Sequence, residues 1–306
     1  MRARRSLIDL DDLTTSEIEY IFARTKYFEE SPPPRTLLQN RATLNLFFEQ
    51  STRTVTSFVL AEQRLGADVI TLSPRDSSLG KGEAIEDSAI TLAAMGISVL
   101  VIRHPEAGFP RRVAEAFDGH VVNAGDGTHA HPTQALLDIY TMLKEFGSLR
   151  NRRVAIVGDI LHSRVAHSNI LGLRSLGAQV VLVGPEVFLP QSFKQDGVAV
   201  ERDFDAVLQN VDAIVLLRIQ RERFAADPAL ITDQDYIAGY RLDGARLARL
   251  KEETIVMHPG PYNRGIELAD DVLQYAGWRY ARQVHHGVFV RMAVLDFLVN
   301  ERSDAC

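Results

Sequence analysis

Residues 47–54 read Phe-Phe-Glu-Gln-Ser-Thr-Arg-Thr, an apolar run that ends at three hydroxyl side chains grouped around one arginine. Upstream, Leu44, Leu46, Phe47 and Phe48 have the density of a buried strand. Downstream, Val55, Phe58, Val59 and Leu65 recur at helical spacing. Ser51 to Thr54 therefore fall on a strand-to-helix turn, where the first backbone N–H groups of the helix lack internal partners and the helix dipole favours an anion. Two readings follow. Ser and Thr cap helices for structural reasons alone. Alternatively the turn is a phosphate pocket, with hydroxyl donors from Ser51, Thr52 and Thr54 and a two-pronged charged donor from Arg53.

The same alternation of strand and helix extends outward in both directions. Predicted strands are Thr43–Phe48, Val69–Leu72, Val99–Ile102 and Val121–Asn123 in the first half, then Arg153–Val157, Val180–Val183, Ala213–Leu217 and Thr254–Met257 in the second. Helices fit between them, for example Thr54–Leu65, Ala84–Met95 and Pro132–Glu145. This pattern predicts an α/β protein of two domains, each a parallel sheet flanked by helices, with a border in the polar stretch Gly147–Arg152. A chain of 306 residues also exceeds what one core usually supports.

Composition removes several classes of function. Net charge is −6, which argues against a general nucleic-acid surface but not against a local cationic pocket. No apolar run is long enough for a membrane span, and the arginines at positions 2, 4 and 5 lead into acids rather than an apolar signal region, so the expected compartment is the cytoplasm. The single cysteine, Cys306, excludes an intrachain disulfide and a Cys-rich metal site.

In open parallel sheets ligands bind beyond the carboxyl ends of the strands. Here those ends carry polar or proline-rich turns. Val101-Ile102 leads into Arg103-His104-Pro105, and Val121–Gly127 into His131-Pro132-Thr133-Gln134. Ile156-Val157 leads towards Arg164, Leu216-Leu217 into Arg218-Ile219-Gln220, and Val256-Met257 into His258-Pro259-Gly260-Pro261.

With Ser-Thr-Arg-Thr at 51–54 and Lys-Gly-Glu at 81–83, these motifs in this order resemble the aspartate/ornithine transcarbamylase family over nearly the whole chain. The resemblance implies an active site between two domains. Residues 1–146, with a C-terminal helix at 286–306 packing back, would bind carbamoyl phosphate, and residues 147–285 would bind aspartate. It implies transfer of the carbamoyl group to the amino group of L-aspartate, giving N-carbamoyl-L-aspartate and phosphate, a step of pyrimidine biosynthesis. It also implies a homotrimer with shared active sites, no metal or organic cofactor, and a regulatory chain or dihydroorotase as possible partners.

Site roles are carried over from the same resemblance. Ser51, Thr52, Arg53 and Thr54 bind phosphate, with Arg103 and with Ser78 and Lys81 from the loop Asp76–Glu83; Lys81 also reaches aspartate. Thr54, Arg103 and His131 meet the carbonyl oxygen. Gln134 and the backbone carbonyls of Pro259 and Gly260 accept from the carbamoyl NH₂, and Arg164, Arg218 and Gln220 hold the aspartate carboxylates. The catalytic set is thus Arg53, Thr54, Arg103 and His131. Elementary electrostatics agrees, because the two substrates bring roughly four negative charges together, and unit charges ~4 Å apart interact by ~4 kcal/mol at an effective dielectric of ~20. Arg53, Lys81, Arg103, Arg164 and Arg218 supply the compensation.

Alternatives attach to single residues. His131 precedes Pro132 and could serve only to start a helix. His104, His129, His162, His167, His258, His285 and His286 are read as structural or solvated, and Glu49 as shaping its turn rather than pairing with a site cation. The chain departs from the family at Val55 and Val59, where an arginine and a glutamate are common, and at Lys81, where some relatives have two adjacent lysines. Three rival functions remain: an ornithine carbamoyltransferase, disfavoured by the lack of cysteine at 258–261; a dinucleotide-binding dehydrogenase, disfavoured because no glycine follows in 159–163; and a catalytically silent relative in a larger assembly.

Overall fold

The computed structural model describes residues 6–31, 33–72, 84–189, 198–220 and 231–300. Ser78 and Lys81, with the whole of the loop Asp76–Glu83, lie outside the described residues. The chain divides into two units, Met1–Tyr140 with Val284–Cys306, and Thr141–Gln283.

In the first unit β1 (Ala42–Phe47), β2 (Asp68–Leu72), β3 (Ile97–His104) and β4 (His120–Asp126) form a sheet in the order β2-β1-β3-β4, with every pair parallel. Leu44, Leu100, Ile102 and Val121 share one core cluster with Ala89, Phe109 and Val113 from the covering helices. Strands in such a sheet are covered on both faces, which is why they read as unbroken apolar runs. The exception is β2, an edge strand with Ile70 exposed. The helices are α1 (Thr15–Glu30), α2 (Thr52–Leu65), α3 (Ile85–Ala94), α4 (Phe109–Ala116) and α5 (Pro132–Phe146), the last running across the border between units. The helix Tyr280–Val299 also crosses that border and returns the chain to the first unit, where Arg24 Nε meets Asp296 Oδ2 at 2.7 Å and the Arg291 guanidinium lies 4.9 Å from the Phe58 ring centroid.

The inner face of α2 is Thr54, Ser57, Phe58, Ala61, Glu62 and Leu65, the i, i+3, i+4, i+7 stripe of a packed helix with a carboxylic acid set into it. Glu62 is fully buried, its Oε2 accepts from Asn45 Nδ2 at 2.6 Å, and burial pushes its pKa up to about 8. It therefore carries its proton at neutral pH. Between the ordinary value of 4.5 and about 8 the folded state binds a proton that the unfolded state has lost, so this contribution falls as pH rises through that window. Glu62→Gln keeps the shape and the acceptor for Asn45 while removing the ionisation. The expected result is that the stability difference between variant and wild type grows in the variant's favour by up to ~1.4 kcal/mol per pH unit across the window. Urea midpoints measured from pH 5 to 9 check it, and parallel curves for the two proteins would refute it.

In the second unit β5 (Arg153–Val157), β6 (Gln179–Val183), β7 (Ala199–Glu201), β8 (Ala213–Leu216) and β9 (Ile255–Met257) form a parallel sheet in the order β7-β6-β5-β8-β9. Val157, Val181, Ile214, Leu216 and Val256 are in its core, and α6 (Arg164–Ser175) follows β5. The three-residue β7 was not among the expected strands; it is too short for any periodicity to register.

Candidate active site

Each unit presents its polar turns at the carboxyl ends of adjacent strands, and the two sets are described separately. In the first unit the turns after β1, β3 and β4 are neighbours because the strands are. Phe47 pairs with Arg103, His104 pairs with Asp126, and the Phe48 N–H donates to the Arg103 carbonyl at 2.8 Å. This brings Ser51–Thr54, Arg103, His131 and Gln134 to one edge of one sheet.

Ser51 stands at the N-cap of α2, yet its side chain makes no capping bond; the first intrahelical bond runs from the Val55 N–H to the Ser51 carbonyl at 3.1 Å. Purely structural capping therefore does not account for this hydroxyl, and the positive helix end stays open to an anion. Thr52 and Arg53 are exposed and Thr54 is buried. Among the described residues no ion pair holds Arg53. Arg103 is tethered instead: its Nε donates to Glu49 Oε2 at 3.1 Å and its Nη1 to the Ala124 carbonyl at 3.4 Å. Glu49 is thus a direct partner of a site cation, where the sequence reading had it shaping its turn.

The segment carrying His131 is organised by Asp126, which is fully buried. Its carboxylate accepts from the Gly108 N–H at 2.7 Å, the Ala130 N–H at 3.1 Å and Asn123 Nδ2 at 2.8 Å, and meets His129 Nδ1 at 3.0 Å. Gly127 takes φ +44 with the Ala107 nitrogen 2.9 Å from where a Cβ would stand, so a side chain there would collide with backbone. His131 is buried, and its carbonyl accepts from the N–H groups of Gln134 and Ala135 to begin α5. Pro132 occupies the first helical position, where no N–H is required. One turn on, Gln134 Nε2 donates to Asp138 Oδ1 at 2.9 Å.

In the second unit the turns after β5, β8 and β9 are adjacent in the same way. Ser163 caps α6 by accepting from the Ala166 N–H at 3.1 Å, which places the buried Arg164 at the first helical position. Arg218 and Gln220 follow β8. The turns of β5 and β8 are tied together by Asp159, fully buried, whose Oδ2 accepts from the Gln220 N–H at 3.2 Å and whose Oδ1 meets His162 Nδ1 at 2.8 Å. Gln220 Nε2 donates to the His162 carbonyl at 2.9 Å. That contact commits part of the amide and leaves Gln220 with an acceptor oxygen and one N–H.

After β9, His258 Nδ1 accepts from the Gly260 N–H at 2.8 Å, which leaves the ring proton of the neutral form on Nε2, facing Glu267 Oε1 at 3.4 Å. Gly260 has φ +67 and precedes a cis peptide to Pro261. His258 thereby shapes the turn bearing the Pro259 and Gly260 carbonyls. His258 is structural, as its sequence reading had it, whereas Asp126 and Asp159 escaped that reading; a lone acid five residues before His131 or Arg164 was the only signal.

Two parallel α/β units, each with cationic and hydroxyl-bearing turns at its strand ends, have the makings of an enzyme that handles anionic substrates. Residues 5–144 match the model of the aspartate/ornithine carbamoyltransferase carbamoyl-P binding domain, and residues 150–298 match that family's Asp/Orn binding domain. The chain belongs to the aspartate/ornithine carbamoyltransferase family. It is 52% identical over 265 residues to the aspartate carbamoyltransferase catalytic subunit of Salinispora arenicola, covering 86% of each chain. It is 47% identical over 307 residues to that of a Nocardioides species, covering 97% of this chain and 94% of the relative. Among solved structures, aspartate transcarbamoylase from Trypanosoma cruzi in complex with N-(phosphonacetyl)-L-aspartic acid superposes with a TM-score of 0.85 at 32% identity, covering 95% of each chain.

Proposed function

We propose that the enzyme transfers the carbamoyl group of carbamoyl phosphate to the amino group of L-aspartate, giving N-carbamoyl-L-aspartate and phosphate for pyrimidine synthesis. The observation that carries this acceptor is the pair Arg164 and Arg218 at the ends of adjacent strands β5 and β8. Asp159, the acid at those turns among the described residues, already accepts from the Gln220 N–H and meets His162. The charge offered to the acceptor is therefore positive, which suits two carboxylates and repels an ornithine side chain.

The open start of α2, with Ser51, Thr52, Arg53 and Thr54, holds the phosphate together with Arg103. Thr54, Arg103 and His131 donate to the carbonyl oxygen. Gln134 and the carbonyls of Pro259 and Gly260 take the carbamoyl NH₂, which has only donors to give. The amine lone pair of aspartate attacks the carbonyl carbon, and the C–N bond forms as negative charge moves onto the oxygen. The intermediate collapses with cleavage of the C–O bond to phosphate, and the leaving phosphate carries away the proton of the new ammonium. No side-chain nucleophile takes part; the protein supplies placement and oxyanion stabilisation. Gln220, with its spare oxygen, suits the amino group as well as a carboxylate. The assembly is a homotrimer in the cytoplasm whose sites are completed by Ser78 and Lys81 of a neighbour. A regulatory chain or dihydroorotase is compatible with this reading.

Steady-state assays with aspartate against ornithine as acceptor test the assignment. Wild type should use aspartate and ignore ornithine. Arg218→Ala should lose at least about tenfold in kcat/KM for aspartate, since a charged hydrogen-bonding partner is worth roughly 1.5–3 kcal/mol. Its inhibition by inorganic phosphate should not move. An unchanged aspartate kcat/KM would remove Arg218 from the site, and turnover of ornithine would overturn the acceptor.

A further inference from the structure

We infer that Asp138 is a positioning residue that selects the carbamoyl group, by holding the Gln134 amide with its oxygen towards the substrate. The inference rests on the proposed role of Gln134 as acceptor for the carbamoyl NH₂. An amide side chain is nearly symmetric in shape, and its two ends differ only in what they can accept or donate. Gln134 is buried, so no solvent averages the two orientations. Asp138, one helical turn on and fully buried, can only accept when ionised, and it takes Gln134 Nε2 at 2.9 Å. The nitrogen is thereby fixed towards Asp138 and the oxygen is the end left for a ligand.

The cation whose charge couples to Asp138 is Arg291, on the returning C-terminal helix. Arg291 is buried, its Nη1 donates to Ser57 Oγ at 2.5 Å and to the Gly287 carbonyl at 3.3 Å, and it lies over Phe58. Burial pushes the guanidinium down to about 9 while the Asp138 charge acts the other way, so the two charges support each other in the interior. The chain of influence runs Arg291, Asp138, Gln134, substrate NH₂. Its first two members touch no substrate.

A ligand with a methyl in place of the NH₂ cannot use the Gln134 oxygen. Acetyl phosphate is that ligand, and inorganic phosphate lacks the group altogether. The test measures the KM of carbamoyl phosphate and the inhibition constants of acetyl phosphate and inorganic phosphate in the trimeric enzyme. In Asp138→Asn the substituted amide can donate to Gln134 as readily as accept from it, so the orientation is no longer held. The expected result is about a tenfold loss of preference for carbamoyl over acetyl phosphate, with the inorganic phosphate constant unchanged.

Gln134→Ala should lose the same preference, and the double variant Gln134→Ala/Asp138→Asn should lose no more than Gln134→Ala alone. Should Asp138→Asn fold poorly, Asp138→Leu with Arg291→Met replaces both buried charges by apolar groups and should show the same loss. If Gln134→Ala loses the preference but neither Asp138 variant does, the positioning role is overturned while the reading of Gln134 stands. If all three ligands weaken together, Asp138 serves the fold and not the selection. If Gln134→Ala keeps the preference, the reading of Gln134 falls and the inference with it.

Discussion

His131→Ala should lower kcat by about a hundredfold or more while the KM for each substrate changes only a few-fold, because a donor to a developing oxyanion is worth roughly 10²–10³ in turnover. The carbonyl oxygen of carbamoyl phosphate carries partial charge in the ground state and nearly a full charge once the amine has added, so the bond from the imidazole strengthens during the reaction. Binding of the ground state depends more on the phosphate, held elsewhere. The bonds that begin α5 run to the His131 backbone carbonyl, which any residue provides. A variant with normal thermal stability and a collapsed kcat is therefore expected. Retained kcat in the folded fraction would assign His131 to helix initiation alone.

Mixed assembly should restore activity to two inactive variants. Arg53→Ala and Lys81→Ala should each be nearly inactive as pure trimers, since each removes a cation from a doubly charged phosphate. If Lys81 serves the site of a neighbouring subunit, a hybrid trimer contains an interface where intact Arg53 of one chain meets intact Lys81 of the next. Random mixing makes roughly three-quarters of trimers hybrid, each with one intact site out of three, so recovery should approach about a quarter of wild-type activity per chain. Dissociation, mixing and reassembly followed by a carbamoyl aspartate assay measures it. Hybrids verified by native mass spectrometry that stay as inactive as the parents would place Lys81 within its own subunit or outside the site.

Much of this architecture was legible from residue order. The apolar runs ending at Phe48, Ile102, Val157, Leu217 and Met257 match strands β1, β3, β5, β8 and β9 to within two residues at their ends, because strands covered on both faces leave little room for polar residues before the turn. The polar turns followed from the same logic. What could not be read was whatever depends on register between strands. Asp126 and Asp159 are single acids without a motif, and their work includes holding N–H groups that the fold brings from afar, those of Gly108 and Gln220. Glu62 contradicts its own stripe, and only its burial against Asn45 explains it. The border between units falls at 140/141, inside α5.

The route of the chain through its two units has a consequence for synthesis. A ribosome makes the first unit's sheet first, then the whole of Thr141–Gln283 as one uninterrupted stretch, and only afterwards the residues that return. Until the last twenty or so residues emerge, Ser57 lacks the Arg291 donor, Phe58 lacks its cation and Arg24 lacks Asp296. The first-made half of the molecule is thus the last to be finished. The order in which the residues are made is not the order in which the units are completed.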